Sequence, residues 1–167
     1  MTTLRSLGGL PTLDAFSTAL PVYVTPASSD YRGYQVFECP PNGQGLTALV
    51  LLNILENFDL KGLEPVGADR FHLVLEAARM AFAVRDAHIA DPDYMRVAVP
   101  ALLDKGFAKK LAGKIDHAKR SKLPVAPSPG NDTIYLTVVD RDRTAVSFIN
   151  SLFSGFGTGI CTEQSGM

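Results

Sequence analysis

Between Leu123 and Gly130 the chain carries Pro124, Pro127, Pro129 and Gly130. Proline has no amide hydrogen and a fixed φ, so this run fits neither a helix interior nor a central sheet strand. Asn131-Asp132-Thr133-Ile134-Tyr135-Leu136-Thr137-Val138-Val139-Asp140 comes directly after it. There β-branched and aromatic residues alternate, with Ile134, Leu136 and Val138 on one face and Thr133, Tyr135, Thr137 and Val139 on the other. Thr133 therefore opens a strand that is expected to be buried. Two readings of Thr133 stand side by side. Threonine is a common strand residue, and an ordinary strand edge accounts for it. If the Asp132–Thr133 bond breaks, however, the new α-amine titrates near about pH 8. That amine can take the proton from its own Oγ and leave a nucleophile.

Composition narrows the classes. A length of 167 residues suits one domain, and 46% hydrophobic with 20% charged residues is the make-up of a folded protein. A net charge of −1 gives no electrostatic footprint for nucleic acid or an anionic membrane. No apolar run is long enough to span a bilayer. The run after Arg5 is broken by Gly8, Gly9 and Pro11, so no secretory signal is legible. That leaves the compartment open, with a lean toward the cytoplasm. Cys39 and Cys161 set no disulfide framework and read as buried small hydrophobes.

Met1 to Asp30 is rich in turn residues, with Thr12 placed to cap a short helix. Tyr34 to Cys39 reads as a strand fed by a turn at Arg32-Gly33 and stopped by Pro40-Pro41. The glycine loop Asn42-Gly43-Gln44-Gly45 lacks the lysine and hydroxyl that a phosphate loop needs. Leu46–Phe58 is apolar almost all round and reads as a buried helix that stops by Gly62. A second helix runs from an Asp69 cap to about Ile89, with Phe71, Val74, Leu75, Ala78, Ala81 and Phe82 as its apolar stripe and Glu76 and Arg79 off it. His72 and His88 are too far apart on that helix to share a metal. Asp91-Pro92-Asp93 reads as a turn, and neither a metal nor a cofactor is implied. Ala101–Leu103 and Phe107–Ile115 read as a helix pair broken at Gly106, and the basic stretch Lys109–Lys122, with His117, as a solvated face and linker.

After a turn at Asp140-Arg141-Asp142-Arg143, Thr144–Asn150 returns as a second strand. An antiparallel hairpin with a short loop brings Asn150 or Ser151 opposite Thr133. The tail Gly155-Phe156-Gly157-Thr158-Gly159 misses the dinucleotide spacing and reads as a flexible loop lining a site.

These residues carry a resemblance. Gly8-Gly9-Leu10, Asp30-Tyr31-Arg32-Gly33-Tyr34, Pro40-Pro41, Asn53-Ile54-Leu55-Glu56-Asn57-Phe58-Asp59, Asp91-Pro92-Asp93, Asp132-Thr133 with Val138-Val139-Asp140, and Phe156-Gly157-Thr158-Gly159-Ile160 stand in the order and spacing of the γ-glutamyltranspeptidase family. The chain resembles an internal segment of that family, spanning the junction of its two subunits. Residues 1–132 match the end of the large subunit and residues 133–167 the start of the small one. The resemblance implies an α+β chain forming part of an N-terminal-nucleophile hydrolase fold (αββα), helices followed by a β-hairpin. It implies a zymogen that cuts itself between Asp132 and Thr133. Thr133 would then attack a γ-glutamyl or related amide and pass the acyl group to water or an amine, with no cofactor. Ser151 matches the family's second hydroxyl, which supports the nucleophile.

The chain departs from the family pattern in two respects. Where glutamate-specific members carry an asparagine, this chain has Phe153 at the substrate-binding position. Phenylalanine cannot bond a substrate's α-carboxylate or α-amine, which favours the broader, acylase-like branch. The family's binding arginine falls before this segment, and its carboxylate-binding residues and oxyanion glycines fall after it. Losing one oxyanion donor alone costs ~10²–10³ in rate. The isolated chain is therefore expected to stay uncleaved and inactive, the alternative being a non-catalytic piece that only self-associates. A homo-oligomer is expected, built around the hairpin and the Gly155–Gly159 tail.

Overall fold

The computed structural model describes residues 2–10, 12–18, 20–122, 134–151 and 159–161. The chain is a mixed α+β protein. Its elements run α1 (Thr2–Ser6), α2 (Leu13–Thr18), β1 (Ala27–Tyr31), β2 (Tyr34–Glu38), α3 (Gly45–Leu55), α4 (Ala68–His88), α5 (Val99–Leu102), α6 (Lys105–Ala112), β3 (Ile134–Val139) and β4 (Ala145–Asn150). It divides into two compact units, Val22–Val125 and Met1–Pro21 with Ala126–Met167.

The core of the Val22–Val125 unit is set by α3, whose Leu46, Leu49, Val50 and Ile54 are all buried. Each such side chain contributes about 1.5–3 kcal/mol over its exposed state. Leu73, Ala77, Met80 and Val84 of α4 and Leu102, Ala108 and Leu111 of α5 and α6 complete the core. Gly45 begins α3 where a side chain has no room. A Cβ there would come within 2.7 Å of Glu38 Oε2 and 2.9 Å of the Cys39 carbonyl oxygen. The glycine thus serves the close approach of β2 to α3.

β1 and β2 pair antiparallel from Ala27↔Glu38 to Tyr31↔Tyr34. The expected turn at Arg32-Gly33 joins them with φ of 53° and 87°. Positive φ at both central residues gives the two-residue turn whose twist suits a hairpin. Thr12 caps α2 as expected, its Oγ1 accepting from the Ala15 amide.

Several expectations are corrected. α4 begins at Ala68 without a side-chain cap, and Asp69 lies in its first turn. Its buried face includes Glu76, whereas Phe71, Leu75 and Phe82 are exposed. Periodicity assigns a glutamate to solvent, but here Arg79 and Ser121 supply partners that make its burial tolerable. The break between α5 and α6 falls at Asp104, not Gly106. The Asp104 carboxylate accepts from the Phe107 amide at 2.7 Å and starts α6 as its N-cap. Both cysteines are free and exposed. Cys39 follows the last residue of β2 and Cys161 lies in the tail, so neither is on a core face.

In the other unit β3 and β4 form the expected hairpin. Among the described residues, both strands are exposed on both faces. The expectation of a buried strand fails there, because among the described residues β3 pairs only with β4.

Candidate active site

Antiparallel pairing builds the site's frame. The register runs from Ile134↔Asn150 to Val139↔Ala145. Ile134 is the residue after Thr133, and Asn150 is the residue before Ser151. The turn is closed by the Asp140 amide donating to the Thr144 carbonyl at 3.1 Å. Asp140 Oδ1 accepts from the Asp142 and Thr144 amides, and Arg143 takes a φ of 64°. A carboxylate that gathers local amides is the turn chemistry expected of Asp140. On one face Tyr135 Oη and Ser147 Oγ share a 2.7 Å hydrogen bond across the strands.

Of the residues singled out from sequence, Ser151 is described. It follows β4 directly and is exposed. Asp132, Thr133 and Phe153 lie outside the described residues, as do residues 155–158 of the glycine tail.

The histidines have other places. His72 Nε2 donates to the Asp116 carbonyl at 2.7 Å. His117 meets the Phe58 ring edge-on at 5.8 Å. His88 lines an open hollow of about 510 Å³ with Asp86, Tyr94 and Arg96. Asp91 Oδ1 accepts from the Asp93 amide and starts a 3₁₀ turn over Pro92–Tyr94. Among the described residues no group of His, Cys, Asp and Glu is gathered to hold a metal. Nor is any helix there long and apolar enough to cross a membrane.

Sequence reasoning missed a polar centre in the Val22–Val125 unit. Asn53 is buried; its Nδ2 donates to the Leu103 carbonyl at 3.1 Å, and its Oδ1 accepts from Ser29 Oγ and Lys105 Nζ, both at 2.7 Å. Lys105 also donates to the Asp30 carbonyl and, at 2.6 Å, to Glu56 Oε2. Glu56 Oε1 accepts from the Arg32 amide. The Arg32 amide and then Lys105 hold the Glu56 carboxyl below its usual range. The available signal was an asparagine near the C-terminal end of a largely apolar helix.

The chain resembles the crystal structure of cephalosporin acylase from Bacillus halodurans with a TM-score of 0.76 and 36% identity, over 98% of this chain and 29% of that one. The chain belongs to the gamma-glutamyltranspeptidase family, whose model matches residues 1–167. Two similar relatives are the glutathione hydrolase-like YwrD proenzyme of Bacillus subtilis and the glutathione hydrolase proenzyme of Escherichia coli. Each is 40% identical over 98% of this chain. The chain spans 31% and 30% of their lengths, respectively.

Proposed function

We propose that these residues contribute the nucleophile of an amide-cleaving acyl-transfer enzyme with an αββα N-terminal-nucleophile fold. Residues 1–132 end its large subunit and residues 133–167 begin its small one. The single observation that carries this reading is the family match over residues 1–167. The strand register supports it, since it pairs the neighbours of Thr133 and Ser151. Thr133 Oγ adds to the Asp132 carbonyl carbon and gives up its proton, the C–N bond breaks, and the departing nitrogen takes up that proton to become the new α-amine. Water then hydrolyses the ester, releasing the Asp132 carboxylate and restoring the Thr133 hydroxyl. In turnover the same hydroxyl, with its proton taken by that amine, attacks a γ-glutamyl or related amide. Ser151 supports the attacking oxygen, and Phe153 lines the acyl pocket.

The test uses a protein of the relatives' full length. Thr133→Ala is expected to abolish both self-cleavage and hydrolysis, while Thr133→Ser keeps some of each. Ser151→Ala slows the reaction without changing the product. Processing of Thr133→Ala at the normal rate overturns the assignment. Phe153→Asn is expected to improve use of glutathione, because a site built to bond a polar group discriminates more sharply than an apolar pocket. Strong γ-glutamyl preference in the unaltered protein contradicts that part.

A second reading is favoured by the exposure of both faces of the β3–β4 hairpin. In it, the 167-residue chain is non-catalytic and associates with itself through those strands. Intact mass with an N-terminal read separates the two. A new terminus at Thr133 supports a live nucleophile; because the 167-residue chain is expected to stay uncut in either reading, self-association is read from dimers in sedimentation equilibrium.

A further inference from the structure

One stripe of α4 is given over to holding a neighbouring stretch of chain. His72, Glu76 and Arg79 are spaced four and three residues apart, which puts them on the same side of a helix. His72 holds the Asp116 carbonyl. Glu76 Oε2 accepts from the Ser121 amide at 2.8 Å, and Arg79 Nη2 donates to the Ser121 carbonyl at 2.9 Å. Ser121 thus has both main-chain groups taken by two side chains of α4, as a neighbouring strand would take them. The two side chains are themselves an ion pair, with the Glu76 side chain 4% exposed and that of Arg79 23%. Burying such a pair costs desolvation that an apolar pair would not, so stability alone is a poor reason for it. Its directional bonds to Ser121 are what an apolar pair could not replace. In sequence, Ser121 is the last of these held residues before the proline run that leads to Asp132–Thr133.

We infer that Glu76 and Arg79 are positioning residues: they clamp Ser121 and so fix the direction in which the chain leaves α4 at Ser121, ahead in sequence of the Asp132–Thr133 bond. The clamp itself stands on the contacts above, and its bearing on cleavage rests on the Thr133 reading. Magnitude separates direction from mere tethering. Without the clamp the free lead extends back toward Asp116. Loop closure worsens only logarithmically with length, so that change alone slows cleavage by less than about twofold.

The clamp is tested in the 167-residue chain by hydrogen exchange. Arg79→Gln and Glu76→Ala are expected to speed exchange at the Ser121 amide about tenfold or more, with Ala77 in the α4 core unchanged. No change at Ser121, or an equal rise at Ala77, overturns the clamp. Its role in positioning is tested in a protein of the relatives' full length by the rate at which an N-terminal Thr133 appears. Arg79→Gln and Glu76→Gln are expected to slow it more than about threefold, with Arg79→Lys restoring over half the rate. A smaller loss, or no rescue, overturns the positioning role. Cleavage of a Thr133→Ala control would instead sink the Thr133 reading and leave the exchange result standing.

Discussion

The two hairpins are built alike and held differently. Each is a two-stranded antiparallel ladder closed by a tight turn with an arginine at positive φ, Arg32 at 53° and Arg143 at 64°. The β1–β2 hairpin is fastened to the helices by side chains. Ser29 bonds Asn53, the Arg32 amide bonds Glu56, and the Arg32 guanidinium bonds the Phe58 carbonyl at 2.8 Å. Ala27, Tyr31 and Val36 pack on the core. In the β3–β4 hairpin, Leu136, Val138, Phe148 and Ile149 are all exposed. An isolated two-stranded ribbon is marginal in water. Strand pattern therefore specifies a hairpin in both places, and what fixes the first is a polar centre whose Asn53, Glu56 and Lys105 lie outside its own strands.

The largest expected effect comes from removing that centre. Asn53→Ala leaves the Leu103 carbonyl, the Ser29 hydroxyl and one contact of Lys105 without their partner. Stability should fall by about 2–4 kcal/mol, read from urea unfolding followed on the helices. A loss under about 0.5 kcal/mol would break the comparison, because the first hairpin would then be held by packing alone.

Acid should separate the two hairpins by a smaller amount. The Glu56 carboxyl is depressed in the folded state by the Arg32 amide and Lys105. Its contribution is therefore complete above the usual glutamate value of about 4.3 and is lost as pH falls through the lower folded value. Glu76 acts in the same window: burial raises it, and bonds from Ser121 and Arg79 more than offset that. Glu56→Gln should remove part of the acid sensitivity at the β1–β2 amides and leave the β3–β4 amides unchanged. An unaltered pH profile in that variant would remove Glu56 from the account.

The smallest effect is the sharpest in sign. Left-handed φ costs a non-glycine residue about 1 kcal/mol. Arg143→Gly should relieve that strain and slow exchange across β3–β4 severalfold. Arg32→Gly relieves similar strain but forfeits the bonds to Leu55 and Phe58, so it should loosen β1–β2. Slower exchange at both turns would show that the Arg32 side chain does not hold the first hairpin.

The sequence was legible wherever local chemistry decides the structure. α3 was legible because it is apolar over most of its circumference, and both hairpin turns because Arg32-Gly33 and Asp140–Arg143 are turn-forming on their own. β1 was not, since Ala27-Ser28-Ser29-Asp30 neither alternates nor favours strands; it is extended because β2 and Asn53 are there to bond it. The buried face of α4 was misread because periodicity does not see the partners of Glu76. Asp104 could have been found, as an aspartate heading a helical turn is a common cap. The reading of Thr133 as a nucleophile rests on the order of motifs around it, and that residue lies outside the described residues.

The folded core also has a place in time. Val22–Val125 is a single uninterrupted stretch of the chain. A ribosome adds about 5–20 residues each second, whereas helix-rich units fold in microseconds to milliseconds. Synthesis from Val22 to Val125 is thus slow enough for the helices to settle once they have cleared the exit tunnel. Thr133 follows Val125 in the chain and so emerges after the last residue of that core.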